Sequence, residues 1–386
     1  MTYTPKTLFQ LAAWCSIFLL VIIAGCNTKS EDKQEYYDVS DFESVEKADI
    51  HIHIFTESND FMDQAKKDNF KVIDVALDAQ NKMGPVREQF RFCEVQKKNN
   101  PSDVEIVTAF SMEGWDNPDW LERNMAWLDS CFNRGAIAVK MWKNIGMVFR
   151  DKNDSLIMID HPRFDPIFKM LADRKIPVLG HLGEPKNCWL PLEEMTTNND
   201  RNYFENHPEY HMYKHPELPS YEEQIAARDR MLEKNPELIF IGAHLGSLEW
   251  SVDELSKRLE RFPNMAVETA ARMGQIFYQT STQRDKVREF FIKYQDRILY
   301  GTDMGASGRE SKNELIKELR DTWMRDWQYF VTDDTLKSAL VNNPYQGVKL
   351  PRDVVDKIYY KNAVKWFGAF EDKGTARPVG SESARK

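Results

Sequence analysis

Between about residues 45 and 370, short apolar runs alternate with longer stretches whose apolar residues recur at helical spacing. The short runs fall at 49–55, 71–77, 105–110, 136–142, 176–182, 238–245, 265–269 and 298–301, and each predicts a strand. Of the longer stretches, 119–132 carries Trp120, Met125, Trp127, Leu128 and Phe132 on one stripe, and 253–262 carries Leu255, Leu259 and Phe262. Strands that alternate with amphipathic helices predict a parallel sheet with crossover helices. Eight strands is the number that closes a (β/α)8 barrel, so the expected fold class is α/β, a TIM barrel spanning 45–370. The longest segment without periodicity, 184–220, follows the fifth strand, and loops of that length are usually lids or binding loops. In a barrel the loops that follow strands lie on the face that carries chemistry.

The two ends of the chain read differently. Residues 1–25 combine an early Lys6, an apolar run from Leu8 and small residues before a break, which is the pattern of a secretory signal. The Ile23-Ala24-Gly25-Cys26 ending resembles a bacterial lipobox, which implies lipid on Cys26. The alternative is an uncleaved membrane anchor, since the run is nearly long enough to span. Residues 26–44 read as the lipidated cysteine and a flexible polar tether, and 371–386 as a disordered tail. The expected location is the bacterial cell envelope, lipid-anchored in the periplasm or at the outer-membrane surface.

Composition narrows the chemistry. A formal charge of −9 disfavours a nucleic-acid partner, because binding phosphate backbones needs clustered Lys and Arg. Apart from Cys15 and Cys26, the cysteines are Cys93, Cys131 and Cys188, an odd number without CxxC spacing, so no disulfide framework is indicated. A small-molecule substrate is the expected partner, and a homo-oligomer is compatible with the sequence.

Groups that bind metals cluster at the ends of the strand runs. His51 and His53 stand two apart, which on a strand turns both imidazoles to one face. His181 closes the fifth run, His244 the sixth, and Asp303 follows the eighth. Any one of these is commonplace: a lone strand-end histidine is more often a hydrogen-bonded core residue, and Gly-Thr-Asp alone is a turn. Four of the eight histidines at such positions, with an acid after the eighth strand, point to a catalytic metal centre. The loop histidines His207, His211 and His215 are spaced by four, but two precede prolines, so they are expected to be lid residues.

The ordered set of HxH, GHLGEP, GAHLGS and LYGTDM resembles the amidohydrolase superfamily, most closely its amidohydrolase-2 branch, over residues 49–370. That resemblance implies a metal barrel whose members hydrolyse lactones, amides or related bonds, or decarboxylate aromatic and unsaturated acids. It implies His51, His53, His181 and Asp303 as ligands of one divalent ion, most simply Zn2+, with His244 orienting or deprotonating water and Asp303 as ligand, base or both. Zinc brings the pKa of bound water to about 7. Lys140, at the end of the fourth run, would bridge two ions if carboxylated, with His181 and His244 holding the second; otherwise it binds a substrate carboxylate or snorkels. Arg272 and Glu184 are candidate substrate-binding residues, each against the alternative of a rim salt bridge. The expected function is hydrolysis of a small anionic or sugar-derived lactone, ester or amide. The alternatives are a decarboxylase on the same barrel and a non-catalytic solute-binding lipoprotein.

Overall fold

The computed structural model describes residues 35–370. The expected signal peptide, Cys26, the first part of the expected tether and the expected tail lie outside the described residues. Each expected run contains a strand: β1 (Lys47–Ile54), β2 (Phe70–Val75), β3 (Val104–Ala109), β4 (Ala136–Met141), β5 (Val178–Gly180), β6 (Phe240–Gly242), β7 (Met265–Glu268) and β8 (Ile298–Leu299). A further strand, β9 (Met304–Ala306), continues the eighth run. Neighbours in sequence pair in parallel from β1 to β8, and β9 pairs with β1. Between β8 and β9 the ladder continues through Ile50 N–H to Tyr300 O and Asp303 N–H to His51 O. The eighth run thus closes the sheet, giving the TIM barrel the sequence predicts.

The barrel is filled from below by apolar side chains, including Ile50, Ile73, Val107, Leu179, Ile241 and Leu299. Phe367 and Ala363 plug the mouth where the strands begin, and the Asn362 amide donates to Ile298 O there. With that end sealed, the polar residues occupy the opposite mouth. The outer layer follows the helical stripes with a small offset. The helix Trp120–Asn133 buries Trp120, Asn124, Leu128 and Cys131, while Met125, Trp127 and Phe132 are half-buried beside them. Val252–Arg261 buries Leu255 and Leu259 as expected.

One irregularity in β1 positions the chemistry. Asp49 pairs with Val72 and Ile52 with Asp74, so β1 carries one more residue than β2 in the same interval. Such a bulge reverses which face the following side chains use. Ile50 therefore points into the barrel, and so do His51 and His53 above it, whereas Ile52 and Ile54 join the outer core. Asp49 points outward and accepts from Trp323 Nε1 at 3.0 Å and from Thr302 Oγ1 at 2.6 Å.

Two expectations need correction. The packed body begins before residue 45: Val39–Glu43 forms a capped 3-10 turn whose Phe42 is buried against Phe70 and Trp327, because this aromatic cluster covers the outer face of β1 and β2. The 184–220 segment also has structure of its own. It holds the helix Asn198–Asn206 and a small apolar core of Met147, Cys188, Met195, Phe204 and Met212. His207, His211 and His215 belong to this layer and are engaged separately. His211 is buried and bonds Leu190 O, His215 bonds Pro208 O, and His207 packs on Tyr203.

Candidate functional site

The open mouth gathers residues from six strand ends. His51 and His53 come from β1, Lys140 from β4, His181 from just past β5, His244 from just past β6, Glu268 from β7 and Asp303 from between β8 and β9. His51, His244 and Asp303 offer ligand atoms that all lie within 4.8 Å of one another. His53 Nε2 joins them at 3.1 Å from Asp303 Oδ1, and the His181 ring stands 4.0 Å from that of His244. The structure therefore brings together all five residues of the implied set. His244 lies as close to the centre as His51, so position does not separate a ligand from a base.

The proton positions show what this cluster fits. His51 Nδ1–H donates to Glu268 Oε1 at 2.9 Å, His53 Nδ1–H to Val75 O at 2.7 Å and His244 Nδ1–H to Ala270 O at 2.9 Å. Each partner is an acceptor, so each Nε2 presents a lone pair to the centre. There they meet another acceptor, Asp303 Oδ1, 3.1 Å from His53 and 3.5 Å from His51. His244 Nε2 and both nitrogens of His181 are buried without any hydrogen-bond partner. Apart from Lys140 Nζ, which reaches His51 Nε2, no donor among the described residues serves these converging acceptors; they repel one another unless a cation lies among them, and the donor set of imidazole and carboxylate suits a divalent metal. The residues fit the ion.

Unusual backbone presents His244. His244, Leu245, Gly246 and Ser247 all have positive φ, from 55° to 61°, which makes one left-handed turn directly after β6. Left-handed residues other than glycine cost about 1–2 kcal/mol each, so such a run persists only where its surroundings hold it. Here the His244 N–H donates to Glu268 Oε1 at 2.8 Å, Ser247 Oγ donates to Gly183 O at 2.7 Å, and the buried Arg228 guanidinium donates to Gly246 O. The turn replaces the end of the sixth strand that the apolar pattern predicts, because a regular strand would direct the 244 side chain into the outer layer.

Burial and charge set the protonation states. Burial pushes His181 down to about 3, and burial followed by the neighbouring His181 and Arg272 holds His244 well below its ordinary value. Burial likewise brings Lys140 down to about 8. Its Nζ donates to His51 Nε2 at 3.0 Å, in agreement with the proton on His51 Nδ1. Burial alone would raise Asp303, but His51, His53 and His244 together hold it well below the usual carboxylate range.

Beside the cluster lies a cleft of about 270 Å³, lined by Trp142, Lys143, Glu184, Tyr203 and Arg272 among others, with His181, His244 and Asp303 in its wall. Glu184 pairs with Lys143, and Arg272 Nη2 approaches it at 3.9 Å. These cations outweigh the burial that would raise Glu184 and hold it ionised. Arg272 Nε is buried with no partner. Sequence reasoning missed Glu268 and Lys143. An acid closing the apolar run Met-Ala-Val-Glu was the available signal for Glu268; Lys143 lies beyond its strand, and only the fold brings it to Glu184.

No curated protein matches the chain. Among solved structures, it is similar to a 2,6-dihydroxybenzoate decarboxylase from Rhizobium, at 14% identity over 84% of this chain and 98% of that one, with a TM-score of 0.48. It is also similar to a 4-oxalomesaconate hydratase from Rhodopseudomonas palustris, at 11% identity over 83% and 95%, with a TM-score of 0.46. A third is a 5-carboxyvanillate decarboxylase from Novosphingobium aromaticivorans with bound manganese, at 12% identity over 85% and 98%, with a TM-score of 0.46. The family model described as amidohydrolase matches residues 48–369, from the start of the barrel to the plug that seals it, and the chain belongs to that family, in its amidohydrolase-2 branch.

Proposed function

We propose that the protein is a metal-dependent hydrolase acting on a small carboxylate-bearing lactone, ester or amide. The observation that carries this reading is the grouping of His51, His244 and Asp303 within 4.8 Å, with the unpartnered buried nitrogens of His244 and His181 beside it and a cleft that holds an incompletely paired arginine. His51, His53, His181 and Asp303 would hold the ion, with zinc the first choice. Such an ion supplies Lewis acidity and a nucleophile at neutral pH.

The chain's own residues do the rest. Arg272, with its free Nε, pairs with a substrate carboxylate, and Lys140 adds positive charge at the floor. His244 Nε2 is neutral and has no partner, so it can accept a proton from an attacking water and later return it to the leaving group. Asp303, whose carboxyl lies well below the usual carboxylate range, is the second proton acceptor at the centre. The buried Lys143–Glu184 pair lines one side of the cleft.

A decarboxylase is the second reading. Trp142, Tyr203 and Phe204 give the cleft an aromatic wall, which favours a planar unsaturated acid. A panel of lactones, esters and amides followed by proton release, run beside aromatic acids followed by carbon dioxide release, separates the two. Turnover of neither kind by the zinc-loaded protein, equal to that of His244→Ala, rejects both and favours a binding protein.

We also propose that the chain works outside the cytoplasm on a lipid anchor at Cys26, on the strength of the lipobox pattern alone. Labelled palmitate incorporated by the wild-type chain but not by Cys26→Ser supports this; equal labelling rejects it.

A further inference from the structure

We propose that Glu268 is the positioning residue of the centre, fixing at once the tautomer of His51 and the place of His244. The inference rests on the metal-centre reading above. Glu268 is fully buried on β7, and its two oxygens take three bonds. Oε1 accepts both His51 Nδ1–H and the His244 main-chain N–H, at 2.9 and 2.8 Å, and Oε2 accepts Ala270 N–H.

A carboxylate can only accept, so it holds the His51 proton on Nδ1 and leaves the Nε2 lone pair facing the centre. Lys140 Nζ, which can only donate, demands the same tautomer from the other side. The oxygen that does this also anchors the first residue of the left-handed turn. Imidazoles from β1 and β6 are therefore referenced to a single atom on β7. A shift of that atom moves both together, which a pair of separate acceptors would not do.

An amide in the same place cannot satisfy all three donors. If its oxygen serves His51 and His244, its NH2 faces Ala270 N–H, donor against donor. Turned round, the NH2 faces His51 Nδ1 and forces the proton to Nε2, where it points into the centre. Either arrangement degrades the centre without removing any residue that would touch the ion.

The test uses the full chain as wild type, Glu268→Gln and Glu268→Asp. Zinc and cobalt(II) affinities are measured by competition with a chelator, and the His51 tautomer is read by 15N NMR of the metal-free protein. Circular dichroism and melting establish that each variant is folded, and Glu268→Asp carries the comparison if the glutamine variant is not. The expected result is a folded Glu268→Gln protein whose metal affinity falls by about 10–100-fold. Its cobalt spectrum changes and its His51 tautomer is altered or mixed. Affinity within twofold of wild type together with an unchanged His51 tautomer overturns the inference. If the wild type itself binds neither metal, the proposed function fails, and the tautomer measurement, taken without metal, still decides the role of Glu268.

Discussion

Gly301 lies so close to His51 that a Cβ on the glycine would stand 3.1 Å from the histidine Cβ and 3.0 Å from Glu268 Oε2. The glycine of Gly-Thr-Asp is thus required by close approach between β8 and β1 rather than by its own backbone angles. Its open side gives Glu268 room to reach His51. Gly301→Ala is expected to cost about 1–3 kcal/mol through overpacking and to weaken metal binding about tenfold or more by displacing the imidazole or its carboxylate partner. Thermal melting with a chelator titration checks this. A variant with wild-type affinity means that the strands separate there at little cost.

Much of this centre was legible in the sequence, for a simple reason. Strands have a period of two, so His51 and His53 share a face in any register, and the apolar runs before His181, His244 and Asp303 place them at strand ends. What was not legible depends on events that leave no periodic trace. The bulge between Asp49 and Ile52 decides which face His51 uses, yet Asp-Ile-His-Ile-His alternates perfectly with or without it. The left-handed turn at 244–247 looks like the end of an apolar run, because Leu245 is buried in either conformation. Glu268 and Lys143 take their roles from partners at least 40 positions away, His51 and Glu184, and only the closed barrel supplies them.

The same logic predicts how the ion affects stability. The Nε2 lone pairs of His53 and His244 lack a donor and only Lys140 serves that of His51, so an ion bound among them and Asp303 should stabilise the folded protein. Zinc at about a hundred times its Kd should add about 2.7 kcal/mol, which amounts to a few degrees in Tm for a chain of this size. A chelator should reverse the shift, and His53→Ala or His181→Ala should reduce it by more than half. Calorimetry that finds no zinc-dependent shift in the wild type counts directly against a metal centre.

Asp74 gives a pH dependence that a single non-titrating variant can read. It points out of β2 beneath the outer helices, accepts Ile54 N–H at 2.9 Å through Oδ1 and leaves Oδ2 without a partner. Burial raises its pKa from 3.8 to about 7. A carboxyl raised in the folded state binds more protons folded than unfolded, so its contribution is full below about pH 4 and is lost as pH rises through 7. The loss is up to about 4 kcal/mol for a shift of this order. Asp74→Asn keeps the acceptor for Ile54 and does not titrate. The variant should match wild type near pH 4 and melt several degrees higher at pH 8, measured as the difference between the two proteins at each pH. A constant difference across that range would mean that Asp74 does not take up its proton on folding.

The Lys143–Glu184 pair offers a test of what lines the cleft. Both side chains are buried, Lys143 also touches the Tyr203 hydroxyl at 3.3 Å, and its ammonium lies 4.3 Å from the centre of the Tyr210 ring. Lys143→Met leaves a buried carboxylate with only His181 and Arg272 nearby, and breaking such a pair typically costs about 3–5 kcal/mol. Glu184→Gln leaves a buried ammonium among aromatic rings, which soften its loss, so this single change should cost less. The double variant removes both charges and should recover most of the stability lost in Lys143→Met, because two neutral groups of similar volume need no mutual compensation. A double-mutant cycle on Tm measures the coupling, and costs that simply add would show that the two groups act independently. Substrate binding should respond differently. Freed of Glu184, Arg272 becomes fully available to an anionic substrate, so in Glu184→Gln KM for a carboxylate-bearing substrate should fall by a few-fold while kcat changes less. If KM instead rises in Glu184→Gln, as it is expected to in Arg272→Ala, then Glu184 contacts the substrate itself, and the arginine's unpaired nitrogen has another use.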